Sequence, residues 1–161
     1  LRTSLEFLKK ADKELAGKNI RIMVIGEEDG LSDEIRREIK RITEKTKSNT
    51  GLTLVLALNY GSRREITKAA KKISQDVKKG ILDPERIDEK LFSEYLYTAG
   101  IPDPDMIIRP SGERRLSNFL LWQASYAELW YSDILWPDFS RKDLIQAIRE
   151  FQRRERRFGG L

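Results

Sequence analysis

The sequence predicts an α/β fold, a mostly parallel sheet with helices on both faces, in a single domain over residues 1–161. Two observations carry that expectation. Short β-branched or apolar runs alternate with stretches in which apolar residues recur every three or four positions, the pattern of strand and helix units that build parallel sheets. One run, Leu52 to Leu58 (LTLVLAL), is almost wholly apolar, as a strand covered on both faces is. Gly and Pro fall at the ends of runs and mark no linker, and there are no repeats or low-complexity tracts.

In order, Leu5, Leu8, Ala11 and Leu15 predict an opening amphipathic helix that stops at Gly17. Asn19 to Gly26 (NIRIMVIG) reads as a strand. Ser32 caps a helix over Asp33 to Lys47, with Ile35, Ile39 and Ile42 on one face. The strand Leu52 to Leu58 follows and gives out at Asn59-Tyr60-Gly61. Ser62 then begins, and can cap, a helix to about Lys79 with Ile66, Ala69, Ala70, Ile73 and Val77 inward. A further helix spans Asp88 to Tyr97, and Pro102-Asp103-Pro104 leads into a short strand, Met106 to Ile108, that ends at Arg109. Phe119 to Tyr126 is an aromatic and aliphatic stretch expected mostly in the core. Leu129 to Leu135 reads as a strand stopped by Trp136-Pro137, and a last helix runs from Ser140 to about Arg157, before Gly159-Gly160.

With 161 residues the chain has room for one core, burying about two thirds of the surface its unfolded form exposes. Charged residues make up 35%, and no apolar run approaches the roughly 18 to 20 residues a bilayer span needs, so a soluble, cytoplasmic chain is expected. There is no cysteine and no histidine, which excludes disulfides, thiol nucleophiles, histidine bases and the usual zinc sites. Any metal must take oxygen ligands, which favours magnesium shared between carboxylates and a substrate's phosphates. The net charge of +5 suits anionic partners, and equally a set of solvated lysines.

Ligands of parallel sheets gather at the C-terminal ends of the strands, and two segments fall there. In NYGSRREI, residues 59–66, Arg63 and Arg64 occupy a helix's first turn, where the dipole prefers acids, which suggests a nearby anion; solvated arginines are the plainer reading. The second segment has Arg109 at a strand end, then Glu113, Arg114, Arg115, Ser117 and Asn118 in one loop. Guanidinium groups grip phosphate bidentately, and a hydroxyl and loop amides complete such a shell, so the loop reads as a diphosphate site. Glu128, alone between Ala127 and Leu129, needs a cation if buried: magnesium is one answer, Arg109 or Arg115 another.

The blocks RIMVIGEEDGL, TGLTLVLALNYGSRREI, IPDPDMIIRPSGERRLSNFLLWQ, YAELWYSDILWPDF and RRERRFGG, in that order, resemble those of the cis-prenyltransferase family, specifically bacterial undecaprenyl diphosphate synthases, over essentially the whole chain. The resemblance implies a Rossmann-like fold. It implies that Arg109, Arg115 and Ser117 bind the diphosphate of isopentenyl diphosphate and that Glu128 helps hold magnesium on it, with Asn59 and Arg63 nearby. Arg157-Phe158-Gly159 is similar to the family's Arg-x-Gly tail, so Arg157 and Gly159 are expected to reach an active site across a homodimer interface. A helix end with a glycine stop explains that tail equally well. The implied reaction adds isopentenyl diphosphate in cis to an allylic diphosphate such as farnesyl diphosphate, giving undecaprenyl diphosphate or a similar lipid carrier for the cell wall, with peripheral membrane contact through the product.

The family's opening segment, resembling Met-Asp-Gly-Asn-Gly-Arg-Trp, is missing from this sequence. The chain is therefore expected to be a fragment that does not turn over alone, with no catalytic residue assigned in it. Two rival readings are a non-catalytic subunit of a two-component prenyltransferase and a basic nucleic-acid-binding domain. The joint presence of Arg109, Arg115, Ser117 and Glu128 argues against the first, and glutamates among the basic residues argue against the second.

Overall fold

Hydrophobic periodicity translates directly into the elements of the computed structural model, which describes Glu6, Lys10, Leu15 and residues 17–154. Two compact units, Leu1–Ala99 and Gly100–Leu161, make up the chain. In the first, β1 (Arg21–Gly26) runs parallel to β2 (Thr53–Leu58), in register from Arg21 opposite Thr53 to Gly26 opposite Leu58. Helix α1 (Asp33–Thr46) connects them, and its start is fixed by Ser32, whose Oγ accepts from the Ile35 amide at 3.4 Å. Ile22, Leu31, Ile35 and Ile42 form the buried cluster, with Leu15, Ile20, Ile39, Leu56 and Leu58 packed on it. Burying an isoleucine contributes about 1.5–3 kcal/mol, so this cluster carries much of the unit's stability.

Several expectations are corrected here. β2 pairs with β1 alone and none of its residues is fully buried, so its apolar run is not a strand covered on both faces. Helix α2 (Ser62–Lys78) is capped by Gly61, and Ser62 sits inside the helix, wholly buried. The buried stripe of α2 is Ser62, Glu65, Ala69 and Ile73, whereas Ala70 is exposed. After a 3-10 turn at Pro84–Arg86, α3 (Glu89–Glu94) is capped by Asp88, which accepts from the Leu91 amide at 2.7 Å. It is shorter than the expected helix to Tyr97 because the Tyr97 amide donates to the Glu65 carboxylate at 2.8 Å, outside any helical ladder. Of the opening helix, Glu6, Lys10 and Leu15 are described, and all three are helical.

In the second unit β3 (Met106–Arg109) pairs in parallel with β4 (Glu128–Tyr131). The expected strand to Leu135 ends at Tyr131, since β3 runs out at Arg109 opposite it. Beyond that point the carbonyls of Ser132 and Ile134 accept from the amides of Gly112 and Ser111, both at 2.8 Å, so the chain braces the loop after β3. The aromatic stretch is not core: Phe119, Leu121 and Tyr126 are exposed, and Gln123 and Ala124 are the buried residues there. A 3-10 turn, Trp136–Asp138, precedes α4 (Arg141–Gln152), whose start is held by Asp143 accepting from the Ser140 amide at 2.8 Å. The helix ends at Gln152, short of the expected end near Arg157, where the Arg153 amide turns to the Glu150 and Phe151 carbonyls; Arg157 and Gly159 themselves lie outside the described residues.

Gly26 closes β1 at φ +119°, and a Cβ there would lie 2.0 Å from the Leu58 carbonyl oxygen. Gly26→Ala should therefore lose more than about 3 kcal/mol in urea unfolding. Gly17→Ala, strained by its φ of +74° but with open space around it, should lose about 1 kcal/mol; equal losses would contradict the close approach.

Candidate functional site

The loop after β3 is built around Arg109. One Nη donates to the Ser117 hydroxyl at 3.0 Å, while its Nε is buried and meets no acceptor among the described residues. A buried charged donor without a partner costs on the order of 1–3 kcal/mol or more, and an anion in the cradle would remove that cost. The loop itself is strained. Ser111, Ser117, Asn118 and Leu120 all adopt positive φ, between 48° and 70°. Such conformations cost about 1–3 kcal/mol each and cluster where a loop must present groups to a ligand. Arg115 lies on the same loop, largely exposed, paired with Glu113 at 2.6 Å.

Glu128 is placed elsewhere. It opens β4 opposite Met106, three rungs from the Arg109–Tyr131 end of the ladder, about 10 Å along the strands. Its partner is neither Arg109 nor Arg115: Oε2 accepts from Arg154 Nη1 at 2.7 Å. The remaining oxygen, Oε1, meets no protein donor among the described residues. Those residues also contain no group of three carboxylates that could cage a metal. A single carboxylate with one free oxygen fits a hard cation that takes its other ligands from phosphate and water. Glu128 could thus hold magnesium, with a diphosphate completing the shell.

In the first unit Asn59, just past β2 at φ 48°, donates from its amide to the carbonyls of Asp29 at 2.8 Å and Glu27 at 3.4 Å. It braces the loop after β1. Arg63 lies in the first turn of α2 with its side chain at the surface. Between these positions is a cluster absent from the sequence reading. Glu27, 4% exposed, accepts from Lys68 Nζ at 2.7 Å and from the Tyr97 hydroxyl, with Arg64 Nε at 3.7 Å. Glu65, also buried, accepts from the Tyr60 hydroxyl at 2.5 Å. The signals were Glu27's place directly after a strand-ending glycine and the i, i+4 spacing of Arg64 and Lys68.

The Lys68 ammonium holds the Glu27 carboxyl below the ordinary glutamate range, with help from the Tyr97 hydroxyl, and Glu27 in turn raises Lys68. Burial, then the bond to Glu27, raises Tyr97.

These elements define an α/β protein with parallel strands, in which an arginine and a serine meet at the C-terminal end of β3. The chain belongs to the prenyltransferase family, whose model, described as "Putative undecaprenyl diphosphate synthase", matches residues 1–159. Among its relatives are isoprenyl transferases of Geobacillus kaustophilus, 51% identical over 97% of this chain and 61% of that protein, and of Clostridium perfringens, 52% identical over 98% and 62%. The chain thus spans about three fifths of the length of these relatives. Solved structures agree: a lavandulyl diphosphate synthase from Lavandula x intermedia in complex with dimethylallyl diphosphate has a TM-score of 0.95 at 37% identity, covering 99% of this chain and 69% of that one. A probable undecaprenyl diphosphate synthase from Campylobacter jejuni has a TM-score of 0.83 at 35% identity, covering 96% and 70%.

The shifted titrations predict the pH limits of the first unit. A lowered Glu27 stabilises the fold above the ordinary glutamate value, about 4.3, and that contribution is lost as pH falls through its folded value. A raised Lys68 contributes below about 10.4, and this is lost as pH rises through its folded value. The stability gap between the unaltered chain and Glu27→Gln should be widest near pH 7 and shrink at pH 3. Urea unfolding at both values checks this, and a gap of the same size at pH 3 would refute it.

Proposed function

We propose that this chain forms the isopentenyl diphosphate side of a cis-prenyltransferase, joining isopentenyl diphosphate to an allylic diphosphate such as farnesyl diphosphate on the way to undecaprenyl or a similar polyprenyl diphosphate. The observation that carries this is Arg109, half-buried, whose buried Nε has no acceptor among the described residues, beside the Ser117 hydroxyl in a strained loop. Membership of the family supports it.

In this reading Arg109 and Ser117 grip the isopentenyl diphosphate, and Arg115, which must leave Glu113, closes over it. Fork-shaped guanidinium donors fix both the position and the orientation of a diphosphate, converting encounter into a near-attack geometry. In the condensation the allylic C1–O bond breaks and diphosphate leaves with the electron pair. C4 of isopentenyl diphosphate forms the new bond to C1, and loss of a proton from C2 leaves the cis double bond. Magnesium, when bound at Glu128 and the diphosphate, would supply charge neutralisation there.

Asn59, which braces the loop after β1, and Arg63 are further candidate substrate-binding residues on the first unit. Arg157 and Gly159 would complete a homodimeric site. We place the protein in the cytoplasm, with peripheral contact to the membrane through its lipid product; none of the described helices is long and apolar enough to cross a bilayer.

Calorimetric titration with isopentenyl diphosphate tests the reading. Arg109→Ala should weaken binding about tenfold to a hundredfold, as loss of one charge-assisted, bidentate contact does, while Arg114→Ala changes it by less than about threefold. Undiminished binding in Arg109→Ala would remove the assigned cradle.

A further inference from the structure

Glu128 and Arg154 form a contact in the second unit that the sequence did not foresee and that touches a residue assigned to the site. The guanidinium Nη1 reaches Glu128 Oε2 at 2.7 Å and the Leu129 carbonyl at 3.0 Å, so the residue just beyond α4 is tied to the first rung of β4. Resting on the reading of Glu128 as the cation ligand, we infer that Arg154 is its resident counter-ion, displaced when a divalent cation arrives with a diphosphate.

The chemistry of the pair favours exchange. Both side chains are partly exposed, Arg154 at 38% and Glu128 at 27%, and ion pairs with that much water around them are weak. When Glu128 is taken, Arg154 keeps an acceptor in the Leu129 carbonyl and gains water, so its release strands no buried charge. Glu128 meanwhile has Oε1 without a protein donor, a position from which a cation can begin to bind before the arginine leaves. No other carboxylates gather into a metal cage among the described residues, so the cation cannot simply settle beside the pair. A positive charge held at 2.7 Å from the single ligand both blocks an oxygen and repels the metal.

Exchange also has a structural consequence. Arg154 is the last described residue and follows the cap of α4 at Arg153, so the pair joins the helix's C-terminal end to the start of β4. Occupancy by a cation at Glu128 removes one of the two bonds that make this link.

The test measures isopentenyl diphosphate affinity by calorimetry with EDTA and with Mn2+, and reads the ratio of the two dissociation constants. Arg154→Gln should enlarge the metal-dependent gain by about twofold to fivefold, the strength of a partly exposed pair. Arg154→Lys, which keeps charge but loses the fork, should fall between, and Glu128→Gln should bring the ratio near one. A role confined to stability would lower the melting temperature of Arg154→Gln without enlarging the ratio, and an unchanged or smaller ratio overturns the proposal. A normal ratio in Glu128→Gln overturns it as well, by removing Glu128 as the ligand, yet leaves the Arg109 cradle standing. Absence of isopentenyl diphosphate binding by the unaltered chain under both conditions would fell the functional reading itself.

Discussion

One buried carboxylate organises the first unit. Glu27 stands where β1 ends, almost without solvent, and an isolated charge there would be expensive to keep. Its compensation comes from three directions. Lys68 arrives from α2, Tyr97 from the chain after α3, and the neighbouring backbone is locked to Asn59 at the end of β2 through the Glu27 amide and carbonyl. Those three attachments fix the C-terminal edge of the β1–β2 ladder, the place where parallel sheets expose their ligand-binding loops. Gly26 is required just before it because the strand passes within van der Waals contact of the Leu58 carbonyl.

The second unit solves the same problem with the opposite charge. Arg109 ends β3 much as Glu27 follows β1, but its partner shell is incomplete: one hydroxyl at 3.0 Å and a buried Nε with no acceptor. Glu27 is saturated by the protein, whereas Arg109 keeps a donor with no acceptor among the described residues. That contrast marks Glu27 as a structural charge and is the ground on which Arg109 is proposed as a binding one. Positive φ at four side-chain-bearing residues between Ser111 and Leu120 shows the same loop held away from its own backbone preferences.

Much of this was legible in the residues. The parallel strands, α1 with its Ser32 cap and the strand ending at Arg109 follow from periodicity and turn chemistry, which are local. What failed was decided by tertiary contacts. Ser62 has the composition of a cap but lies inside the helix, because Gly61 takes the extended cap conformation and the Ser62 side chain is buried. Phe119, Leu121 and Tyr126 look like core and are exposed, in a chain segment whose left-handed residues Ser117, Asn118 and Leu120 break the regular periodicity that the sequence suggests. Glu27 and Glu65 look like surface acids in the sequence, and only the fold shows that Lys68, Tyr60 and Tyr97 converge on them.

The absence of histidine and cysteine narrows the chemistry further than composition first indicates. With no imidazole available, neither proton transfer nor metal ligation can be assigned to the residue type that usually performs them. The proposed reading needs neither, since placing and neutralising diphosphates can be done by guanidinium groups and a hard cation. A site built on these terms is sensitive to where each permanent positive charge stands, because arginine cannot be switched off by losing a proton at physiological pH. Arg109 is bonded to the Ser117 hydroxyl, Arg115 is paired with Glu113, and Arg154 is paired with Glu128, the carboxylate proposed as the metal ligand. Two of these three arginines are bound to acids, so under the proposed reading the order of binding would be set by exchange of ion-pair partners more than by movement of the backbone.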